Sequence, residues 1–417
     1  MPLKLIALLA ALALALVFPA ACEQEIDLSP TPVPESGKAP GDAAPALQPL
    51  SEAPLEEALP FALNCAAAML VEQDSGQVIF QMNPDVPRPV ASVTKVMTIL
   101  LALEQLEAGR LRLEDAVSIS KNAAGMGGSQ VLLDVGEQQT IRTLLESMIV
   151  GSANDAALAL AEAMFGSEEA CAEQMNARAA ELGMSNTHFV NCTGLPAEGQ
   201  HTTARDAAIM ARQVFSHPRY FDFSGTWLDD IDHGDGRVTQ LVNTNKLLRL
   251  YDGCDGGKTG STKEAGFCIA ATARRAGMRL VAVVLGAASG KERFEIASKL
   301  MDHGFAGYRR YPVAQAGTRI RGRLPVTGGQ ADGVGLKLAS ALTLLIKKGD
   351  EQRIRLVPSL PESLPAPIEP GDRVGSVQVS LDGRKLAEIP VIASEGVNAK
   401  GLHPGLDQFW KNWLLAK

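Results

Sequence analysis

Between Pro89 and Leu103 the chain is apolar on nearly every helical face, and Ser92 and Lys95 interrupt it. Positions three apart share one face of a helix, so this serine and lysine point the same way. Val93, Val96, Met97, Ile99, Leu100 and Leu103 cover the other faces, which predicts a helix packed nearly all round. Such a helix cannot lie on a surface, so the chain must build layers on every side of it. The lysine is then desolvated. Its charged form is disfavoured, its pKa falls, and a neutral amine one turn from a hydroxyl can take that hydroxyl's proton. Ser92 is therefore a candidate nucleophile.

The chain is long enough to supply those layers. Its 417 residues allow two folded domains, and a hydrophobic share of 46% is that of a globular protein. A net charge of -8 argues against nucleic acid as a partner. Cys22, Cys65, Cys171, Cys192, Cys254 and Cys268 are too sparse for a disulfide scaffold and show no C-x-x-C spacing. With few histidines and no H-E-x-x-H, neither a metal site nor a cofactor is expected.

Lys4 precedes an apolar run from Leu5 to Phe18 that ends in Pro19-Ala20-Ala21-Cys22, the layout of a secretory signal over residues 1–22. Export is expected, with action outside the cytoplasm at the outer face of the cytoplasmic membrane. Lipidation of Cys22 and ordinary cleavage nearby both fit that ending. Residues 23–60 are rich in Pro, Ala, Ser and acidic residues without periodicity, and read as a flexible tether.

Two strands are predicted at 66–72 and 77–82, and helices over 141–165, with a polar break at Gly151 to Asp155, then over 168–182 and 203–215. Thr202 and Thr203 are N-cap candidates for the last of these. Strand-like runs at 266–273 and 279–286 and a helix over 292–304 follow. From 311 to 397, short runs punctuated by Gly and Pro predict a small all-β domain. In the final segment, 398–417, Leu406, Phe409, Trp410, Trp413 and Leu414 form one apolar stripe of an amphipathic helix, suited to a membrane surface or, alternatively, to packing on the β domain.

A lone S-x-x-K is weak, since about one chance match is expected in a chain of this length. Ser118 and Lys121 supply one, in a polar stretch with nothing to desolvate the lysine. Three motifs in order are stronger. Ser92-Val93-Thr94-Lys95 is followed by Ser152-Ala153-Asn154 about 60 residues on, and by Lys258-Thr259-Gly260 about 105 further. This set resembles the active-site motifs of penicillin-binding proteins and serine β-lactamases. Gly151 to Ala157, Asp255-Gly256-Gly257 and Glu264-Ala265-Gly266 are similar, within that superfamily, to the low-molecular-mass D-alanyl-D-alanine carboxypeptidases, and the resemblance extends over about residues 60 to 417.

The resemblance implies an α+β fold of the penicillin-binding/β-lactamase type: an antiparallel sheet flanked by helices, plus a helical subdomain, over residues 61–310, followed by the β domain and the C-terminal amphipathic helix. It implies an enzyme that removes the terminal D-alanine from peptidoglycan stem peptides through an acyl-enzyme and is itself acylated by β-lactams. In that chemistry Ser92 attacks the penultimate carbonyl, Lys95 takes its proton, and Ser152 relays a proton to the departing D-alanine. Asn154 bonds Lys95 and the substrate amide, Lys258 and Thr259 hold the free carboxylate, and Gly260 lets the strand approach the substrate. The backbone N–H groups of Ser92 and Ser261 form the oxyanion hole. Cys192, Cys254 and Ser261 depart from the family pattern without removing a functional group.

Two other readings fit part of the pattern. A serine β-lactamase needs a base for fast deacylation, and the segment from Cys192 to Gly199 offers only Glu198, with no E-x-x-L-N pattern. A non-catalytic sensor of peptidoglycan or β-lactams would have no need of Ser92, Lys95 and Lys258 together.

Overall fold

The structure, a computed structural model, describes residues 47–234, 236–401 and 413–414. Residues 47–311 with 344–351 form one compact unit, and 312–343 with the residues from 352 on form another.

The first unit is built on five strands: β1 (Ala67–Glu72), β2 (Val78–Met82), β3 (Cys254–Thr262), β4 (Gly266–Arg275) and β5 (Met278–Ala287). They lie in the order β2-β1-β5-β4-β3, every neighbouring pair antiparallel. Strand β1 is buried at all its positions because both faces of the sheet are covered. Its residues alternate between two cores. Ala67, Met69 and Val71 join Val96, Leu100 and Met210 on one face, and Ala68 and Leu70 join Phe294, Leu300 and Met301 on the other. Between β4 and β5, Ala276 and Gly277 both have positive φ, as a two-residue hairpin turn requires.

The helices on these faces are α1 (Lys95–Glu107), α2 (Ile141–Glu146), α3 (Asn154–Phe165), α4 (Glu168–Glu181), α5 (Ala204–Ser216) and α6 (Gly290–Gly307). Thr203 caps α5 as expected, its hydroxyl accepting from the Asp206 N–H at 3.0 Å. The helix predicted around Ser92 begins instead as a 3-10 turn, Ala91–Thr94, that passes into α1. In a 3-10 turn positions i and i+3 eclipse, which draws Ser92 and Lys95 closer than an α-helix would. The predicted break at 151–155 is a π-helical turn, Ser147–Gly151, followed by Ser152 at φ +63° and the start of α3.

The tether expected to reach residue 60 is ordered from residue 47. The N–H groups of Ser51, Leu55 and Glu56 donate to the carbonyls of Gly76, Val78 and Ile79 at 3.0, 2.9 and 2.9 Å. Leu50, Leu55 and Leu59 pack on the two cores, and Arg212 Nη2 donates to the Gln48 carbonyl at 3.0 Å. The edge strand β2 needs these partners, and the leucines supply the apolar contact that the proline-rich composition masks.

The second unit is a six-stranded sheet of β6 (Arg319–Thr327), β7 (Gly333–Leu338), β8 (Ile354–Ser359), β9 (Leu364–Pro365), β10 (Arg373–Leu381) and β11 (Arg384–Ala393), in the order β8-β10-β11-β7-β6-β9. Val334, Leu336, Val377, Val379, Ile389 and Val391 form its core. Residues 398–400, expected to open the C-terminal helix, instead pair with the β domain: Gln330 N–H donates to Asn398 at 2.8 Å and Lys400 N–H to Gly328 at 2.7 Å. The signal, Cys22, the tether before residue 47 and the stripe residues Leu406, Phe409 and Trp410 lie outside the described residues. Trp413 and Leu414 are helical and exposed. No helix among the described residues is long and apolar enough to cross a membrane.

Candidate active site

The 3-10 turn that carries Ser92 is clamped in place. Ala91 sits at φ +49°, a conformation that costs a non-glycine residue about 1–2 kcal/mol and persists only where surroundings enforce it. The enforcement comes from Gly194, which lies so close that a Cβ there would fall 2.0 Å from the Ala91 carbonyl oxygen.

Lys95 is fully buried. Its Nζ lies 3.0 Å from Ser92 Oγ, 2.6 Å from Asn154 Oδ1 and 2.7 Å from the Thr193 carbonyl oxygen. Burial pushes its pKa down to about 7.

Asn154, at the first turn of α3, is held from its other side. Its Nδ2 donates to the Gly127 carbonyl at 2.6 Å and its backbone N–H to the Ser129 carbonyl at 2.7 Å. Gly128, at φ +80°, passes so near that a Cβ would lie 2.7 Å from that Nδ2. The glycine cluster at 125–128 is thus the seat of Asn154, a role no sequence signal assigned to it. Asp155 beside it fixes the same loop, its carboxylate accepting from the N–H groups of Val131 and Leu133 at 3.1 and 3.2 Å.

Strand β3 brings Lys258, Thr259, Gly260 and Ser261 to the edge of the sheet. Lys258 is buried, and its Nζ donates to Ser152 Oγ at 2.7 Å and to the Thr259 carbonyl at 3.0 Å. Burial holds its pKa well below the usual lysine value, and the neighbouring cations Lys95 and Arg293 add to the shift. Ser152 is bonded to Lys258, while Lys95 bonds Ser92, Asn154 and the Thr193 carbonyl. Thr259 Oγ1 donates to Thr244 Oγ1 at 2.9 Å.

Gly260 is packed tightly by the turn that carries Ser92. A Cβ there would lie 2.6 Å from the Val90 carbonyl oxygen, 2.8 Å from Ser92 N and 2.9 Å from Val93 N. The glycine lets β3 approach the turn that carries Ser92. Ser261 is exposed at the next position.

Two participants carried no motif. One is the Thr193 carbonyl. The other is Arg293 of α6, whose Nη1 donates to the Gly260 carbonyl at 3.1 Å while its buried Nε has no hydrogen-bond partner. Its guanidinium lies over the Phe294 ring, 4.7 Å from the centroid. The second S-x-x-K behaves as the polar setting predicts: Ser120 caps a short helix by accepting from the Ala123 N–H at 2.9 Å, and Lys121 is exposed. Among the described residues no group of His, Cys, Asp or Glu is arranged to hold a metal ion, and Cys65, Cys171, Cys192, Cys254 and Cys268 are unpaired thiols.

Comparison with known proteins gives a consistent set. The family described as D-alanyl-D-alanine carboxypeptidase matches residues 54–289, and the family described as penicillin-binding protein 5, C-terminal domain, matches residues 308–399. The chain is 36% identical over 352 residues to D-alanyl-D-alanine carboxypeptidase DacF of Bacillus subtilis (strain 168), covering 84% of this chain and 90% of the relative. It is 32% identical over 349 residues to DacC of Escherichia coli (strain K12), covering 81% and 86%. The crystal structure of penicillin-binding protein 5 from Haemophilus influenzae superposes with a TM-score of 0.72 at 29% identity, over 82% of this chain and 99% of that one. Penicillin-binding protein D2 from Listeria monocytogenes, solved in its ampicillin-bound form, superposes with a TM-score of 0.52 at 30% identity, over 58% and 98%.

Proposed function

Since the chain belongs to the D-alanyl-D-alanine carboxypeptidase family, we propose that Ser92 is the nucleophile with which it removes the terminal D-alanine from peptidoglycan stem peptides. The observation that carries this is the set of three contacts at Lys95 Nζ. A neutral amine has two N–H donors and one lone pair. The Asn154 and Thr193 oxygens can only accept, so they take both N–H groups and leave the lone pair for the Ser92 hydroxyl. With a pKa of about 7, a substantial fraction of Lys95 is in that neutral form at neutral pH.

Ser92 Oγ attacks the carbonyl of the penultimate D-alanine while its proton passes to Lys95. The backbone N–H groups of Ser92 and Ser261 stabilise the developing oxyanion; that of Ser92 lies in the first turn of its helix, where N–H groups lack intrahelical partners. Ser152, bonded to Lys258, passes a proton to the departing amine. Thr259 and Lys258 bind the free carboxylate, and the Arg293 guanidinium, held at the Gly260 carbonyl, contributes positive charge beside it. Water then releases the shortened peptide.

A β-lactam acylates Ser92 by the same attack. The hydrogen-bond partners of Lys95 are a hydroxyl, an amide and a backbone carbonyl, and Glu198 is exposed, so among the described residues no carboxylate is bonded to Lys95 or Ser92 to activate a deacylating water. The acyl-enzyme is therefore long-lived, which separates this reading from a β-lactamase. The functional parts we propose are residues 1–22 as the export signal, a tether that ends before residue 47, the catalytic unit from 47 to about 310, the β domain, and a C-terminal amphipathic segment at the membrane surface on the extracytoplasmic side.

Mass spectrometry of the purified protein after exposure to benzylpenicillin tests the assignment. The adduct is expected on the peptide containing Ser92 and absent in Ser92→Ala, which also releases no D-alanine from a D-Ala-D-Ala peptide. Rapid turnover of benzylpenicillin would point to a β-lactamase instead, and binding without D-alanine release to a sensor.

A further inference from the structure

The first turns of α6 and the short helix Leu247–Leu250 line a groove of about 760 Å³. We propose that residues 23–28 of this same chain dock there, so that the tether folds back onto the catalytic unit. The inference is independent of the acyl-enzyme reading.

The groove is both apolar and cationic. Leu247 and Phe294, which are buried, line it together with Leu250, which folding leaves 72% exposed. Lys246, Lys291 and Lys299 line it as well, and all three are exposed. Among the described residues Glu295 is the one carboxylate there, and Lys291 already pairs with it at 3.3 Å. The site thus carries surplus positive charge on a protein whose net charge is -8. A peptide that interleaves carboxylates with aliphatic side chains matches both of its properties.

Glu23-Gln24-Glu25-Ile26-Asp27-Leu28 has that pattern, and no lysine or arginine follows it before Lys38. Glu23, Glu25 and Asp27 answer the three lysines, and Ile26 and Leu28 answer the leucines and Phe294. These six residues lie outside the described ones, so the length of chain decides whether they can arrive. The described chain begins at Leu47. The Gln48 N–H reaches the Asp74 carbonyl at 3.5 Å, and the Asp74 carboxylate pairs with Arg310, just beyond the end of α6. The groove lies at the opposite end of α6, whose 18 residues measure about 27 Å. The chain from Leu28 to Leu47 spans up to about 60 Å, enough to cover that distance. A segment attached so near is held at a high effective concentration, which an acidic peptide of another molecule lacks. Docked, it draws the catalytic unit toward its N-terminal attachment. Released, the same stretch gives the unit up to about 60 Å of reach.

The test places a photo-crosslinking p-benzoylphenylalanine at the exposed position 250 of the exported, full-length protein and maps the cross-links by mass spectrometry. An intramolecular link to the peptide containing residues 23–28 is expected. Its yield should fall at least about five-fold in about 0.5 M salt, and as much when Lys291→Glu is combined with Lys299→Glu or Glu25→Lys with Asp27→Lys. Joining the two charge reversals in one chain should restore it, an outcome that a loss of fold would not give, and Tm is measured for every variant. The absence of any link to this segment overturns the proposal, as does a mature chain that begins beyond Leu28. A product of twice the chain mass assigns the groove to a second copy instead. A link that neither salt nor charge reversal weakens overturns the ionic basis of the docking and the proposal with it.

Discussion

Asn154 presents its amide oxygen 2.6 Å from Lys95 Nζ while its amide nitrogen is tied to the Gly127 carbonyl at 2.6 Å. The second bond fixes which end of the amide faces the lysine, so Asn154 can accept from Lys95 and cannot compete with it as a donor. Asn154→Ala removes one of the two acceptors that aim the lone pair, and a fall of roughly 10- to 100-fold in kcat/KM for D-alanine release is expected. Asn154→Asp places a charge against the amine instead. An opposite charge at that distance raises a lysine pKa by about 1–3 units, so the acid limb of the pH profile should move up by more than one unit. An unmoved limb in Asn154→Asp would separate Asn154 from the base.

The wild-type pH profile has a definite sign. Lys95 loses its proton near pH 7, so acylation by benzylpenicillin should rise about ten-fold per pH unit below that value and level off above it. Lys95→Arg keeps a permanent charge and should acylate at a rate near background. Stability follows from the same shift. Between about 7 and 10.5 the unfolded chain holds a proton that folded Lys95 has lost, so the contribution of this group to stability rises with pH across that window. Denaturant unfolding at several pH values should show the rise in the wild type and a shallower one in Lys95→Met.

Gly260→Ala meets backbone atoms on every near side, at 2.6, 2.8 and 2.9 Å. The strand and the 3-10 turn must separate, at a cost of about 1–3 kcal/mol typical of overpacking. A lower Tm is expected together with a loss of acylation of more than about 100-fold, because the two halves of the proposed oxyanion site sit on the two elements pushed apart. Retained acylation with a lowered Tm would confine the glycine to a packing role.

Arg293→Gln removes the cation beside the Gly260 carbonyl and the buried Nε donor. The expected effect is specific to substrates with a free terminal carboxylate: kcat/KM should fall about 10-fold or more for those peptides and much less for the same peptides amidated at the C-terminus. Equal losses for both would mean that Arg293 acts through the strand and not on the carboxylate.

What could be read from the sequence followed how specific each residue's chemistry is. Ser92, Lys95, Ser152, Asn154, Lys258 and Thr259 supply side-chain groups that acyl transfer needs, and their order along the chain distinguished them from the decoy at Ser118 and Lys121. Thr193 lay inside the stretch inspected for a deacylating base, yet what it offers is a backbone carbonyl, which every residue has. The glycines at 128, 194 and 260 were visible as letters, but their purpose depends on what packs against them, and that is set by residues distant in sequence. The 3-10 start of α1 was invisible for a similar reason. It arises from the strained Ala91 and the clamp at Gly194, not from local helix preference. The end of the tether was misplaced because Leu50, Leu55 and Leu59 carry a packing signal too sparse to show through the prolines around them.

Strand β3 ends the sheet, and a bare edge strand can pair with any extended peptide that reaches it. Proteins that must keep such an edge bare run the risk of joining edge to edge with their own copies. Here that edge is covered over most of its length: Gly256 to Gly260 are buried, the Gly257 N–H donates to Tyr220 Oη at 3.0 Å, Asn245 Nδ2 donates to the Gly256 carbonyl at 3.1 Å and Ser224 Oγ to that of Asp255 at 2.6 Å. The 3-10 turn stands close against it at Gly260. A long flat strand of a second molecule finds only Ser261 exposed there. The side chains that cover this edge thus also keep it from serving as a template for a second copy.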